Sequence, residues 1–200
     1  MNYLAHTYLS GENDDIKIGN FLGDWVKGSD YLKYSEDIRT GIMLHRNIDS
    51  FTDRHPIVHQ SASRFQPRYA KYAGVIIDIL YDHFLAFHWN DFNEMPLRDY
   101  INRIHNIMLN NFEILPERLK SYLPGFMQER WIERYATVDG IRDVLDTMSK
   151  RTSLPNETEF AISVMEAYYD DFRREFFDFF GQIIELVESK FMISIYRPGA

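Results

Sequence analysis

The chain contains 200 residues, 45% of them hydrophobic and 16% aromatic, so it can bury a sizeable core and fits one domain better than two. Its formal net charge of -8 and its lack of cysteine argue against general affinity for nucleic acid or anionic membranes, and exclude disulfides and thiolate metal ligands. No window reaches about 18 uncharged apolar residues, and residues 1–6 lack the pattern of an export signal. We therefore expect a cytoplasmic protein without a membrane segment.

The first half of the chain shows helical patterns and almost none of the alternation that predicts strands. Ser35, followed by Glu36 and Asp37, predicts an N-cap and an acidic first turn, and Pro56 is placed as the first residue of a further helix. The long apolar run of residues 69–89 predicts a central buried helix.

The second half continues the helical pattern with more interruptions. Pro116 and Pro124 are expected to divide the chain into short pieces. Residues 139–150 are helical in pattern, and residues 157–191 predict either one long helix or two helices joined near Gly181.

The last of these segments is rich in aromatic residues, among them Phe172, Phe176, Phe177, Phe179 and Phe180. Aromatic stripes at helical spacing usually pack in cores. We therefore interpret them as core with a dimer face, and a groove for an acyl or aromatic ligand is the alternative. Together the patterns predict an all-α fold, a single-domain multi-helix bundle over residues 1–200 with a long C-terminal helix.

Two ionisable residues, Asp82 and His83, lie inside the apolar run that predicts the central helix. Burying an unpaired carboxylate or imidazolium costs several kcal/mol, so each of them needs a polar partner or a metal ion. His45 and Asp49 are four residues apart, which places them on one helical face with roughly 5 to 6 Å between their Cβ atoms. Taken singly, each of these residues is equally well explained by a structural hydrogen bond.

His6 and Asp24 also lie in apolar surroundings. A mixed set of imidazoles and carboxylates suits manganese, iron, zinc or magnesium better than copper(I). The sequence therefore predicts a site for a divalent cation.

Residues 38–71 form a basic segment in an otherwise acidic chain, because only Asp49 and Asp53 oppose its basic residues. Such a segment indicates an anionic partner or a phosphate group, and solvated helix faces are the alternative. The basic residues are Arg39, Arg46, Arg54, Arg64, Arg68 and Lys71.

Four segments of the chain carry a resemblance to a known family. They are MNYLAH at residues 1–6, GNFLGDWVKG at residues 19–28, GIMLHRNIDSFTD at residues 41–53 and DHFL at residues 82–85. In order and separation they resemble the acyl carrier protein phosphodiesterase family, and weaker similarity extends over the whole chain.

The resemblance implies an all-helical relative of the HD-domain metal-dependent phosphohydrolases. Such an enzyme hydrolyses the phosphodiester between 4'-phosphopantetheine and a serine of holo-acyl carrier protein, with manganese as the typical cofactor. In this chain Asp82 precedes His83, which reverses the His-then-Asp order that gives the superfamily its name.

Phosphodiester hydrolysis requires a cation that neutralises the nonbridging oxygens and lowers the pKa of a bound water. We expect a divalent metal, with Mn²⁺ favoured and Mg²⁺ or Fe²⁺ as alternatives. The predicted metal ligands are His6, Asp24, His45, Asp82 and His83. The predicted catalytic residues are Asp82, His83, Arg46 and Asp49.

Paired guanidinium donors match phosphate oxygens, and a basic surface could dock an acidic carrier protein. The predicted substrate-binding residues are Arg46, Arg54, His55, Arg64 and Arg68. The alternative function is an HD-type phosphohydrolase that acts on a nucleotide or another small phosphoester, and a third is a non-catalytic helical protein that binds the carrier. The oligomeric state stays open.

Overall fold

Helices account for all regular secondary structure in residues 3–128 and 130–198, the part of the chain that the computed structural model describes. In chain order the α-helices are α1 (Tyr3–Tyr8), α2 (Asp14–Leu22), α3 (Glu36–Thr52), α4 (Pro56–Ser63), α5 (Gln66–Tyr69), α6 (Ala73–Phe87), α7 (Leu97–Asn110), α8 (Glu117–Gln128), α9 (Trp131–Arg134), α10 (Val138–Arg151), α11 (Thr158–Ala167) and α12 (Tyr169–Phe191). Short 3-10 helices lie at Asp30–Lys33, Ala70–Tyr72, Trp89–Asp91 and Phe112–Ile114. The predicted all-α fold with a long C-terminal helix is confirmed.

The buried apolar side chains form one continuous core that runs from Leu4 in α1 to Ile195 beyond α12. The middle of the core is α6, whose Phe84 is stacked on Phe176 of α12 with ring centroids 5.8 Å apart. Each large apolar side chain that is fully buried contributes about 1.5–3 kcal/mol. The core interpretation of the α12 aromatic residues is therefore confirmed, apart from Phe177, which is partly exposed.

Several predicted boundaries are confirmed because local chemistry sets them. α3 begins directly after Ser35, and two acidic residues occupy its first turn. Pro56 is the first residue of α4, where its missing N–H leaves no hydrogen bond unmade.

Three boundaries differ from the predictions because packing overrides local preference. Pro124 lies inside α8, whose buried side chains continue on both sides of it. The break between the last two helices falls at Tyr168 and not near Gly181. The central helix begins only at Ala73, because the chain turns at Ala70 with a φ of 46°.

The helices α2 and α3 make the most extensive helix pair, and α3 with the loop that follows α2 carries most of the candidate site. Their backbones approach closely where Gly19 faces Gly41. A Cβ atom at Gly41 would overlap the carbonyl oxygen of Ile16. This contact sets the loop that follows α2 directly against the buried face of α3.

None of the described helices combines the length and the apolar character needed to cross a bilayer. Residues 1, 2, 129, 199 and 200 of the predicted domain lie outside the described part of the chain.

Candidate metal centre

Three side chains from α1 and α3 converge: His6, His45 and Asp49. The Asp49 carboxylate lies between the two imidazoles, with Oδ1 3.2 Å from His6 Nε2 and Oδ2 3.1 Å from His45 Nε2. The rings are stacked with centroids 4.1 Å apart, and one ligand atom from each of the three residues lies within 4.8 Å of the others. The predicted pairing of His45 and Asp49 on one face of α3 is confirmed by this geometry.

Asp24 joins the group from the loop after α2. Its Oδ1 lies 3.4 Å from His45 Nε2. The preceding residue must be small, because a Cβ atom at Gly23 would overlap the His45 ring. Because Gly23 has no side chain, the loop can pass close to the His45 ring and place the Asp24 carboxylate beside it.

Asn20 fixes the orientation of His6, a role that the sequence predictions missed although Asn20 lies in one of the four motifs. Its Nδ2 donates to the His6 carbonyl oxygen at 2.7 Å, so its Oδ1 must face His6 Nδ1, which lies at 2.8 Å. The Nδ1 atom of His6 therefore carries the proton, and Nε2 presents a lone pair.

The resulting contact between His6 Nε2 and Asp49 Oδ1 joins two acceptors. Burial, reinforced by the nearby charge of His45, lowers the pKa of His6, so its ring is neutral at pH 7. An unprotonated nitrogen and a carboxylate oxygen at 3.2 Å repel each other unless a cation lies between them. This arrangement, with its nitrogen and oxygen donors, is compatible with a divalent metal ion.

The pKa of His45 is shifted in the opposite direction to that of His6, upwards from its ordinary value. Burial acts to lower its pKa, but the hydrogen bonds with Asp24 and Asp49 prevail and raise the pKa to about 9. Burial likewise acts to raise the pKa of Asp49, but the hydrogen bond from the protonated His45 prevails and holds it below the usual range. In the metal-free protein His45 is thus an imidazolium, and binding of a metal at its Nε2 would release a proton.

A matched pair of glycine variants tests this packing. Gly23→Ala should push the His45 ring away from Asp24, so the pKa of His45, about 9 in the parent chain, should fall towards 6.5. Overpacking should also cost about 1–3 kcal/mol of stability. Both are measurable on the metal-free protein, by NMR titration of the imidazole and by urea unfolding.

Gly181→Ala is the control, because no atom lies within 4 Å of a Cβ atom built there. The control should leave the His45 titration unchanged and stabilise α12 by about 0.5–1 kcal/mol. An unchanged His45 pKa in Gly23→Ala would refute the packing argument.

Asp82 lies outside the group, in contrast to its predicted role as a metal ligand. It is fully buried in α6, and its two oxygens accept the backbone N–H groups of Leu4 at 3.0 Å and Ala5 at 3.1 Å. Burial raises its pKa to about 7 although these bonds oppose the shift. Asp82 thus caps the first turn of α1 and positions His6 indirectly. We reassign it from ligand to structural residue.

His83 also points away from the group. Its Nδ1 donates to the Tyr135 carbonyl oxygen at 2.7 Å, and its Nε2 lies 3.0 Å from the Tyr169 hydroxyl, which donates to it. Both ring nitrogens are therefore used within the protein, and burial lowers the pKa of the ring. The predicted role of His83 as ligand and catalytic residue is replaced by a link between α6, Tyr135 and α12.

Two of the predicted substrate-binding residues make hydrogen bonds with nearby backbone groups instead. Arg46 donates through Nη2 to the carbonyl oxygens of Val26 and Gly28, each at 3.0 Å, and so supports the loop that carries Asp24. His55 is the N-cap of α4; it accepts from the Ile57 N–H, and its Nε2 lies 3.2 Å from Gln182 Oε1. Neither side chain lines the cavity beside the metal centre.

Arg64 is the clearest correction among the basic residues. Its guanidinium forms a two-pronged pair with the buried Glu175, with N–O distances of 2.8 and 2.7 Å, and lies over the ring of Phe172. Only 18% of its side chain is exposed, so it is not available for docking. Arg68, at 61% exposure, and Arg54 do remain at the surface.

The centre opens on a cavity of about 580 Å³. His6, Asp24 and Asp49 line it, and so do three charged residues that the sequence predictions did not include, namely Asp53, Asp78 and Arg151. Burial, together with the charges of Asp49 and Asp53, raises the pKa of Asp78. An apolar wall completes the cavity, formed by Tyr3, Tyr122, Phe126, Tyr135 and Met148.

Comparisons with known proteins agree with the motifs. Residues 1–183 match the family described as acyl carrier protein phosphodiesterase. Proteins of that name from Pectobacterium atrosepticum and Yersinia pestis are 32% and 31% identical, each over 95% of this chain and 99% of the relative. One from Photorhabdus laumondii is 31% identical over 95% of this chain and 96% of its own. No solved structure matches the chain, so the likeness to HD domains stays a prediction.

Proposed function

Because the chain belongs to the acyl carrier protein phosphodiesterase family, we propose that it hydrolyses the phosphodiester between 4'-phosphopantetheine and the serine of holo-acyl carrier protein, in the cytoplasm. The observation that carries the proposal is the convergence of His6, His45 and Asp49, with Asp24 beside them, at the mouth of one cavity. These four residues come from three of the motifs that carry the family resemblance.

The residues that would bind the metal are His6, His45 and Asp49, with Asp24 as a further oxygen donor. Manganese is the metal that we propose. When bound, a divalent ion neutralises phosphate charge and lowers the pKa of a coordinated water. Asn20 fixes the proton of His6 on Nδ1. The Nε2 atom can therefore bind a metal ion without first losing a proton.

Proton transfer is assigned to two carboxyl groups that line the cavity. Asp24 is 56% exposed, and its hydrogen bond with His45 lowers its pKa and keeps it ionised; its carboxylate oxygen that would not bind the metal is assigned to accept the proton of the attacking water. Asp78 keeps its proton more readily than an ordinary aspartate, because its pKa is raised, and donates it to the serine oxygen as the phosphorus–oxygen bond breaks. The products are 4'-phosphopantetheine and the free serine hydroxyl of the apo-carrier.

The remaining parts of the substrate match the other walls. The apolar wall with Tyr122, Phe126 and Met148 offers a surface for the largely uncharged pantetheine arm. Carrier docking is assigned to the exposed guanidinium groups of Arg54 and Arg68, since Arg64 is committed to Glu175.

The direct test is incubation of the purified protein with holo-acyl carrier protein and Mn²⁺, read by mass spectrometry as loss of the phosphopantetheine group. Chelation with EDTA should abolish release, and added Mn²⁺ should restore it. Apo-carrier serves as the control substrate, because its mass should not change.

Absence of release with Mn²⁺, Mg²⁺ and Fe²⁺ would contradict the proposal. Metal-dependent cleavage of a small phosphodiester such as bis-p-nitrophenyl phosphate, without release from the carrier, would favour the alternative of a small phosphoester substrate. Full activity in EDTA would contradict metal dependence.

A further inference from the structure

The cavity beside the metal centre carries an excess of negative charge. Four carboxyl groups line it; with Asp78 protonated as the assigned acid, those of Asp24, Asp49 and Asp53 remain ionised, and one divalent ion offsets only two of their charges. A phosphodiester is itself anionic, and a phosphomonoester product is more so. An anion that enters this cavity therefore meets net repulsion unless a further cation lies on its path.

Arg151 is the one lysine or arginine among the described residues that line the cavity. It is the last residue of α10, and Met148 and Thr152 beside it line the same cavity. Arg151 thus lies on a wall of the cavity that is formed by neither α1 nor α3, the two helices that supply the imidazoles.

The backbone at the end of α10 is held firmly, which fixes the point from which the Arg151 side chain extends. Thr152 donates through both its N–H and its hydroxyl group to the Met148 carbonyl oxygen, each at 2.8 Å. Val144 and Leu145 anchor the preceding turn in the core. Because the C-terminal end of a helix presents carbonyl oxygens, its backbone repels anions, and only a cationic side chain can make this wall attractive to phosphate.

We propose that Arg151 binds the phosphate group of the substrate from the α10 wall while the metal centre binds it from α1 and α3. The inference rests on the proposed function, since it names the phosphate of that substrate. A guanidinium offers two parallel N–H donors that match two phosphate oxygens, which a lysine cannot do. Arg151 thereby selects anionic substrates in a cavity that otherwise repels them.

The test compares Arg151→Gln and Arg151→Lys with the control Lys150→Gln, which removes an exposed neighbouring charge outside the cavity. With Mn²⁺ saturating, Arg151→Gln should raise KM for the holo-carrier by about 10- to 100-fold. Arg151→Lys should recover part of the loss, and Lys150→Gln should behave like the parent chain.

A second measurement does not depend on catalysis. Binding of inorganic phosphate to the metal-loaded protein, followed by calorimetry, should weaken by a similar factor in Arg151→Gln, whereas the affinity for Mn²⁺ itself should not fall. Equal phosphate affinity in parent and Arg151→Gln would overturn the inference even in an active enzyme. If the parent chain releases no phosphopantetheine but loses phosphate affinity with Arg151→Gln, the inference stands and the proposed function fails.

An alternative role for Arg151 is only to balance the carboxylates of the cavity. In that case Arg151→Gln should reduce thermal stability and strengthen Mn²⁺ binding, with phosphate affinity unchanged after correction for metal occupancy. That outcome would also overturn the inference.

Discussion

Asp49→Asn should remove detectable Mn²⁺ binding and lower kcat/KM by at least about 10³-fold, as expected for loss of the group on which the charge of the centre depends. Both carboxylate oxygens of Asp49 are used, one towards each imidazole. An amide has one oxygen and two N–H groups. It would therefore either donate to the lone pair of His6 and occupy the metal-binding nitrogen, or turn an N–H against the protonated His45. The substitution keeps the shape of the side chain and removes its charge.

The matched control is Asp53→Asn. Asp53 lies one turn further along and also lines the cavity, but it has no contact with either imidazole among the described hydrogen bonds and ion pairs. Its substitution should change Mn²⁺ affinity by less than about tenfold. Both variants are measured by calorimetric titration with Mn²⁺ and by steady-state kinetics. If Asp49→Asn binds Mn²⁺ as tightly as the parent chain, the assignment of the centre is wrong.

Glu175→Ala should lower the free energy of unfolding by about 3–5 kcal/mol, the cost of leaving one member of a buried ion pair without its partner. The carboxylate of Glu175 is 6% exposed and accepts from two Arg64 nitrogens, from Gln60 at 2.7 Å and from Ser61 at 2.5 Å. Removing it strands a guanidinium between α4 and α12, in contact with Phe172.

Urea unfolding measures the loss, and the exposed pair of Arg174 with Asp171 on the same helix provides the control. Asp171→Ala should cost less than about 1 kcal/mol. The double variant Arg64→Met with Glu175→Leu should recover most of the stability, because it removes both charges together. A cost below about 1 kcal/mol for Glu175→Ala alone would show that Arg64 finds water or another carboxylate instead.

Much of the fold was predictable from the sequence because local rules set it. The acidic first turn after Ser35, proline at the start of α4 and apolar spacing each act within one or two turns. The errors occurred where distant packing decides. Helix α8 continues through Pro124. The break between α11 and α12 falls at Tyr168, although Gly181 has the weaker helix propensity.

The site was predictable in part, for the same reason. His45 and Asp49 are local partners on one helical turn, and His6 and Asp24 were found through their motifs. The prediction that the buried Asp82 and His83 each need a polar partner was correct. A sequence cannot tell, however, whether that partner is a metal ion, a backbone N–H or a hydroxyl group. Arg64 finds its carboxylate 111 residues away.

Arg151 gave no signal in the sequence at all. It is one of two charged residues, with Lys150, in the last turn of an ordinary amphipathic helix. Only the three-dimensional arrangement of α10 beside the carboxylates distinguishes it from Lys150.

The cap that Asp82 makes on α1 has a consequence for the order of events during synthesis. A helix of six residues is far too short to persist alone in water, and the carboxylate that satisfies its first N–H groups follows Leu4 by 78 residues. At about 5–20 residues per second, the ribosome adds that residue roughly 4 to 16 seconds after Leu4. His6 is thus made early but reaches its place late, because the candidate centre can close only after α6 has left the ribosome and packed against α1.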